Sequence, residues 1–561
     1  MKHRELSALA FAGVSLVALV ALGQDRRPNE DEMFGAKPEA PQPAPSASPA
    51  PTAPPASAAP SGSVAAPAAG SAAPPPGTSP AAATEARAPA PPRSAPADSR
   101  DEAVLGGHES AMFSEEAAPS DPLRIGGQLY LRAQTTALRG QRLTDYSFST
   151  PALADAYFDA RPNDRVRGFV LGRMVYDPTL PTSTSGTLAT APLAATGGTS
   201  GSAALSSLFG QQTRAPQVLL DQLWLRFDIA HTVFVTAGKQ HVRWGTGHFW
   251  SPTDFLHLQF RNPLDVFDAR TGTTMIKLHV PIESKAWNFY AYGVTENADA
   301  SQSISRIAGA ARAEFVVDAA EFGVGALVRR DQDPRIAADL SFGVGDFDLY
   351  GELALKNSSE VDRVRFDGGA ALPPAPMQPV SADQSMAYLQ QVVDAVYPVY
   401  RQHDYRPQVV GGLSYARKYN DNDTFTVGAE YFYNGFGYTD ANAYPGLLLP
   451  HSANLAQPAP FFYLGRHYGA LYVTFPSPFK LDLHTFTLST LGNLSDRSFI
   501  TRFDYSYVLL THLRFEAFAS ARYGNEEGEF RFGVKPVTLG DTTFSRAPAI
   551  FDLGVALRLA I

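Results

Sequence analysis

From about Asp121 to its end the chain is written in segments of about ten residues whose side chains alternate between apolar and polar or small. The last segment shows the rule most plainly. Phe551, Leu553, Val555, Leu557, Leu559 and Ile561 are apolar, and Asp552, Gly554, Ala556, Arg558 and Ala560 stand between them. A period of two over that length specifies a β-strand with one apolar and one polar or small face. About eighteen such segments can be placed, from Gly127 to Thr135 through Phe551 to Ile561, with sixteen as the nearest alternative count. The connections sort by parity. Short ones follow even-numbered segments, as at Pro162 to Asp164, Ile229 to His231 and Gly345 to Asp346; long ones follow odd-numbered segments, as at Asp177 to Pro216, Gly245 to Gly272 and Asn357 to Gln408. A soluble sandwich has no reason to sort its loops in this way. A barrel with tight turns at one rim and long loops at the other does. The expected fold is therefore all-β, a transmembrane antiparallel β-barrel of about eighteen strands over residues 121–561.

What precedes the barrel is of a different texture. Lys2, His3 and Arg4 followed by an apolar run from Leu6 to Leu22, with small residues before Gln24, predict a signal peptide over residues 1–23. Residues 24–120, dominated between Ala36 and Ala97 by Ala, Pro, Ser, Gly and Thr, bury too little apolar surface to offset the entropy of ordering. They are expected to be a disordered linker in the periplasm. The absence of Cys excludes thiol chemistry and a lipid-anchored amino terminus, and a net charge of −9 offers no general basic surface for nucleic acid. The 35 Phe and 23 Tyr suit aromatic girdles at two membrane interfaces.

Lipid and lumen can be told apart by charge, because an Arg or Lys near the bilayer midplane costs about 2–4 kcal/mol. That test assigns Arg132, Arg161, Arg165, Arg167, Arg173, Arg226, Lys239, His241 and Arg243 to the lumen, with Val242 facing lipid. Only Asp155, Asp159 and Asp228 stand on matching faces of those strands. Such a row concentrates anions, unless acidic loop residues such as Asp254, Asp265 and Asp268 neutralise it. Tyr290, Tyr292, Tyr350, Tyr468 and Tyr472 share the lumen side and read as filler or as stacking surfaces for sugars.

Two stretches carry a resemblance. AGKQHVRWGTGHFWSPTD, Ala237 to Asp254, runs on through Arg261-Asn262-Pro263 to Gly272, and GNLSDRSFITRFDYSYVLL, Gly492 to Leu510, leads to Arg522-Tyr523-Gly524. They resemble motifs of porin-like outer-membrane proteins of Gram-negative bacteria. In the first, Trp244, Gly245, Trp250, Pro252, Asp254, Asn262 and Pro263 form the loop motif. The spacing of Asp552, Gly554, Leu557 and Leu559 also resembles the C-terminal signal by which such barrels are recognised for insertion, although Ile561 replaces the usual final aromatic. What the resemblance implies is an outer-membrane location, lipid and the barrel-assembly machinery as partners, and a homotrimer as one possible assembly. Diffusion porins and exporters of anionic polysaccharide both fall among such proteins.

The expected activity is a channel for small hydrophilic, anionic solutes. The alternative is a non-conducting surface or anchoring barrel plugged by its loops, and a barrel-embedded enzyme comes third. No catalytic pair, phosphate loop, cofactor motif or metal site is expected. His241, His248, His257 and Asp254 lie close in sequence but at spacings that match no helix or hairpin ligand set. Asp177 to Pro216 is expected either to fold inward or to be disordered. Ser381 to Tyr397 reads as a helix whose stripe, Met386, Leu389, Val393 and Val396, covers either the mouth or its own loop.

Overall fold

The computed structural model describes residues 122–180, 215–257, 259–264, 270–296, 303–357, 362–374, 382–419, 423–447, 449, 451–452, 462–479, 481–539 and 542–561. The expectations for the export signal, the linker and the body of the Asp177 to Pro216 loop lie outside these residues, as do Asp265 and Asp268.

Eighteen long strands form one antiparallel sheet: β1 (Leu123–Leu138), β2 (Ala152–Asn163), β3 (Val166–Tyr176), β4 (Gln217–Ile229), β5 (Val233–Gln240), β6 (Thr273–Ile282), β7 (Trp287–Val294), β8 (Ala308–Val317), β9 (Ala320–Arg329), β10 (Gln332–Val344), β11 (Phe347–Asn357), β12 (Tyr405–Lys418), β13 (Thr424–Asn434), β14 (His467–Pro476), β15 (His484–Asn493), β16 (Ser498–Leu510), β17 (Leu513–Gly524) and β18 (Ala549–Ala560). Each pairs with the next, and β18 returns to β1 in a ladder from Gln128↔Ala560 to Leu138↔Ala549, which closes the sheet and removes every edge. A three-residue strand, Ser147–Ser149, extends the wall against β1. The eighteen-strand reading thus holds, with each expected segment inside or overlapping an observed strand.

Turn lengths follow the expected parity except at two hairpins. β9 meets β10 and β15 meets β16 through tight turns at the long-loop rim. Both use a non-glycine residue at positive φ, Asp331 and Arg497.

The alternation sorts surfaces as the period of two requires. Leu129, Leu131, Leu223, Leu225, Ile276, Leu278, Leu553, Val555 and Leu557 point outward and are exposed, a belt that suits lipid. Around the short-turn rim the outward face carries aromatic rings in edge-to-face and tilted contact: Phe347 with Tyr415 at 4.8 Å, Tyr415 with Phe425 at 6.0 Å, Phe425 with Phe475 at 6.3 Å and Tyr505 with Phe515 at 6.3 Å. These rings are the girdle that the Phe and Tyr content predicted.

At the long-loop end, the helix α1 (Ala382–Val396) lays Leu389, Val393 and Val396 into a cluster with Tyr438, Tyr444, Leu464 and Phe532. Two other loops supply those partners, so the stripe ties neighbouring loops together rather than covering its own loop alone. Val364 and Val399 are that loop's own share.

Candidate functional site

The connection between β5 and β6 does not leave the barrel. After Gln240 the wall stops, and Val242, Trp244, Phe249, Trp250, Phe255 and Leu256 are all buried. Trp244 packs on Phe255 and Tyr292, with ring centroids 6.0 and 5.6 Å apart, toward the β7–β9 wall. Trp250 stacks on Phe432 at 5.5 Å and meets Tyr468 at 5.5 Å, and its indole N–H donates to the Phe462 carbonyl at 3.1 Å. His248 stacks on Tyr472 at 4.3 Å. The loop therefore spans the lumen between two walls of the same barrel.

Two carboxylates hold it there. Glu430 on β13 accepts from three consecutive peptide N–H groups, those of His248 at 2.7 Å, Phe249 at 3.1 Å and Trp250 at 2.9 Å, and from the Tyr350 hydroxyl at 2.8 Å. Glu352 on β11 accepts from the Gly247 N–H at 2.5 Å and from the Thr253 hydroxyl at 2.7 Å. A run of amides around one carboxylate satisfies a buried charge without a cation. The local sequence permits this because Gly245 sits at φ +96°, where a side chain would strike Thr253 and Glu352, and because a Cβ on Gly247 would collide with the Trp250 carbonyl. Sequence reasoning did not single out Glu430, and it read Glu352 only as a lumen charge balanced with Asp348 and Lys356 on its own strand. For Glu430 the signal was a lumen-facing carboxylate with no basic residue on that face of its strand.

The loop-motif residues are thus brought together: Trp244, Gly245 and Trp250 as above, Pro252 and Pro263 buried, and Asn262 closing a turn through the Leu264 N–H at 3.0 Å. Asp254 pairs with Arg270 at 3.0 Å and His257 at 2.9 Å. Burial would raise its carboxyl, but His257 and Arg270 outweigh that and hold it at about 2. His257 also meets His241 at 3.4 Å, and His241 meets Asp221 on β4 at 3.0 Å. Three of the four residues weighed as a metal set do converge, His248 being the one left out, yet no group of three or more ligands poised for a metal occurs among the described residues.

The basic row needs two corrections. Lys239 pairs in register with Leu223 and Thr274, which puts it on the outward face, where it meets Glu296 at 3.4 Å. It lies one residue before β5 ends, so a charge there is met by a rim carboxylate and needs no lumen. His241 and Arg243 are not on the strand at all. They belong to the inward loop, where Arg243 donates to the Gly247 carbonyl, and Val242 is buried rather than lipid-facing.

Of the other six, Arg132, Arg161, Arg167, Arg173 and Arg226 stand on the inward faces of their strands and Arg165 in the half-exposed turn before β3, and most are matched by acids. Asp159 accepts from Arg161 at 3.1 Å and Arg167 at 2.8 Å; Asp155 and Asp221 flank Arg173 at 2.8 and 3.3 Å; Asp228 holds Arg165 at 3.2 Å. Arg226 lies over the Phe234 ring at 5.0 Å, and Arg132 over Phe518 at 4.4 Å, with Arg502 4.2 Å from the same ring. Two pairs of like charge stand directly opposite across strands, Arg167↔Arg226 and Arg514↔Arg558.

No protein-family profile matches this chain, and no curated protein matches it. Among solved structures the chain is similar to OccK8 (OprE) of Pseudomonas aeruginosa, at 10% identity and TM-score 0.44, covering 78% of this chain and 98% of that one. It is similar to OccAB4 of Acinetobacter baumannii at 9% identity and TM-score 0.40, covering 79% and 98%. A triple mutant of the Rhodopseudomonas blastica porin gives 11% identity and TM-score 0.34, covering 78% and 100%. With TM-scores below 0.5 these likenesses are coarse, and the barrel assignment rests on the closed strand ladder itself.

Proposed function

We propose that this chain is a porin-like channel of the outer membrane, passing small hydrophilic solutes with a preference for anions, with the short-turn rim toward the periplasm. The observation that carries the preference is two pairs of opposed arginines in the lumen wall, Arg167↔Arg226 and Arg514↔Arg558. Asp159 binds Arg167 and Glu516 binds Arg558, which leaves Arg226 and Arg514 with no carboxylate at ion-pair distance among the described residues. Like charges directly opposite in a sheet destabilise it, and a wall that keeps them draws anions into the lumen. On the same reading residues 1–23 direct export, residues 24–120 are a periplasmic tether, and the C-terminal strand is what the assembly machinery engages.

The test is the reversal potential of the purified protein in a planar bilayer under a salt gradient. Anion selectivity is expected, and Arg226→Glu with Arg514→Glu should move the potential toward cations, more at low than at high ionic strength. Unchanged selectivity in that variant would remove the anion preference. A second reading, a plugged and non-conducting barrel, is favoured by the aromatic packing of the inward loop on both walls. Absence of any conductance step would establish it.

A further inference from the structure

At the long-loop end, the loops and the start of β12 line a partly open cavity of about 350 Å³, a volume suited to a small ligand. Its walls include Arg363, Arg365, Arg406, Arg466, Tyr400 and Tyr438. Main-chain bonds set these positions. Arg363 and Val364 pair with Tyr400 and Val399 as a two-residue ladder, Tyr438 bridges to Gly465, and the Arg466 N–H donates to the Tyr438 carbonyl at 3.0 Å. Arg406 is the second residue of β12.

Four arginines line the cavity, beside one acid, Asp440. Only Arg406 has a carboxylate partner, Asp404 at 3.1 Å. Among the described residues no carboxylate lies within ion-pair distance of Arg363, Arg365 or Arg466. Arg363 is buried, lies 4.9 Å from the Tyr438 ring centroid, and spends one nitrogen on the Gly437 carbonyl at 3.1 Å. The Nε atoms of Arg363 and Arg466 are buried without a hydrogen-bond partner. Buried guanidinium groups are ordinarily matched by acids, so this wall is short of negative charge. The charge it lacks would come from a ligand.

The rest of the lining says what else that ligand carries. The half-buried Tyr400 ring offers an aromatic surface, Tyr438 is buried beneath Arg363, and the Gln402 and Asn442 side chains add neutral hydrogen-bonding groups. A bare inorganic anion would use the arginines and leave the ring and amides idle. A sugar acid would use all three: its planar carboxylate fits an arginine fork, its C–H face fits an aromatic ring, and its hydroxyls fit the amides. We propose that this cavity binds an acidic sugar, a hexuronate residue, at the long-loop mouth. The site lies at the long-loop end of the wall and would hold whether or not the barrel conducts.

Binding of galacturonate to the detergent-solubilised full-length protein, read by calorimetry, tests this. Saturable binding is expected that weakens as salt rises, with galactose and inorganic phosphate each binding at least about tenfold more weakly. Arg466→Gln and Arg365→Gln should each weaken galacturonate by about tenfold while the unboiled protein keeps its fast gel migration. Arg365 is exposed and holds no packing contact in the loop clusters, so its variant decides the question even where Arg466→Gln misfolds. Galactose or phosphate binding as tightly as galacturonate, or galacturonate binding unchanged in the folded Arg365→Gln protein, would overturn the assignment.

Discussion

Glu430 Oε1 accepts the Trp250 peptide N–H at 2.9 Å, although Trp250 leaves the wall after β5 and Glu430 sits on β13, eight strands further round a barrel of eighteen. This contact fixes how much of the lumen the loop occupies. Hydrogen bonds to a charged group contribute about 1.5–3 kcal/mol each, and Glu430 accepts several. The His248 to Trp250 segment is therefore held at the β13 wall by one side chain, while Glu352 holds Gly247 and Thr253 on either side of it.

Glu430→Ala should free the His248 to Trp250 segment. The expected outcome is larger and noisier single-channel current and new protease cleavage between residues 241 and 272, with the barrel still resistant to unfolding without heat. Glu430→Gln keeps one acceptor oxygen and should fall between. Equal cleavage in wild type and Glu430→Ala would mean that the aromatic packing alone holds the loop.

Trp250→Ala tests that packing. Truncating a fully buried Trp costs about 3–5 kcal/mol, and Trp250 is completely buried against Phe432 and Tyr468. The temperature at which the unboiled gel form is lost should fall, and more than for Trp287→Ala on the outer face, whose ring meets Phe315 and Lys285 among the described residues.

The mouth loops carry a pH dependence of definite sign. Glu529, fully buried in the β17–β18 connection, is pushed up to about 8, by burial first and then by Asp496, against the hydrogen bonds from the Tyr468 hydroxyl, the Leu464 N–H and the Asn493 amide. An acid whose folded value lies above its unfolded one stabilises the fold below about pH 4.5, and that contribution is lost as pH rises through about 8. Tyr444, which donates to Asp496 at 3.0 Å, faces the same cluster. Protection of the amides in residues 525–539 and 542–548, corrected for the base-catalysed rise in intrinsic exchange, should therefore fall between about pH 4.5 and about pH 8, and Glu529→Gln should flatten that fall. A fall of equal size in the Gln variant would assign the effect to another group.

Strand faces can be tested by contrast. Val555 is outward and exposed at the middle of β18, so Val555→Arg should cost about 2–4 kcal/mol where it meets the bilayer midplane. Arg226→Glu, on the lumen face of β4, should insert normally. Refolding yields into lipid vesicles read both. Normal insertion of Val555→Arg alongside failure of Arg226→Glu would mean the two faces are exchanged.

Local alternation was enough to place all eighteen strands and to tell lipid side from lumen side for Arg132, Arg167, Arg173 and Arg226, because a strand's two faces are written in consecutive residues. It misjudged Lys239 because the charge test assumes bilayer depth, whereas Lys239 stands at the strand end beside Glu296. It misjudged His241 and Arg243 because the expected strand ran on to Trp244, whereas the chain leaves the wall after Gln240. No pattern of period two marks where a strand stops and a chain turns inward. The partners were beyond local reach altogether. Glu430 and Glu352 matter only because closure brings β11 and β13 across from the β5–β6 loop, and Asp221 meets Arg173 and His241 only through the register of β3, β4 and β5. Which charges cancel in the basic row is set by register between strands up to 63 residues apart in the chain. What anchors the loop is set by closure, through Glu352 and Glu430 contacts 99 to 182 residues apart, so only the tertiary structure decides both.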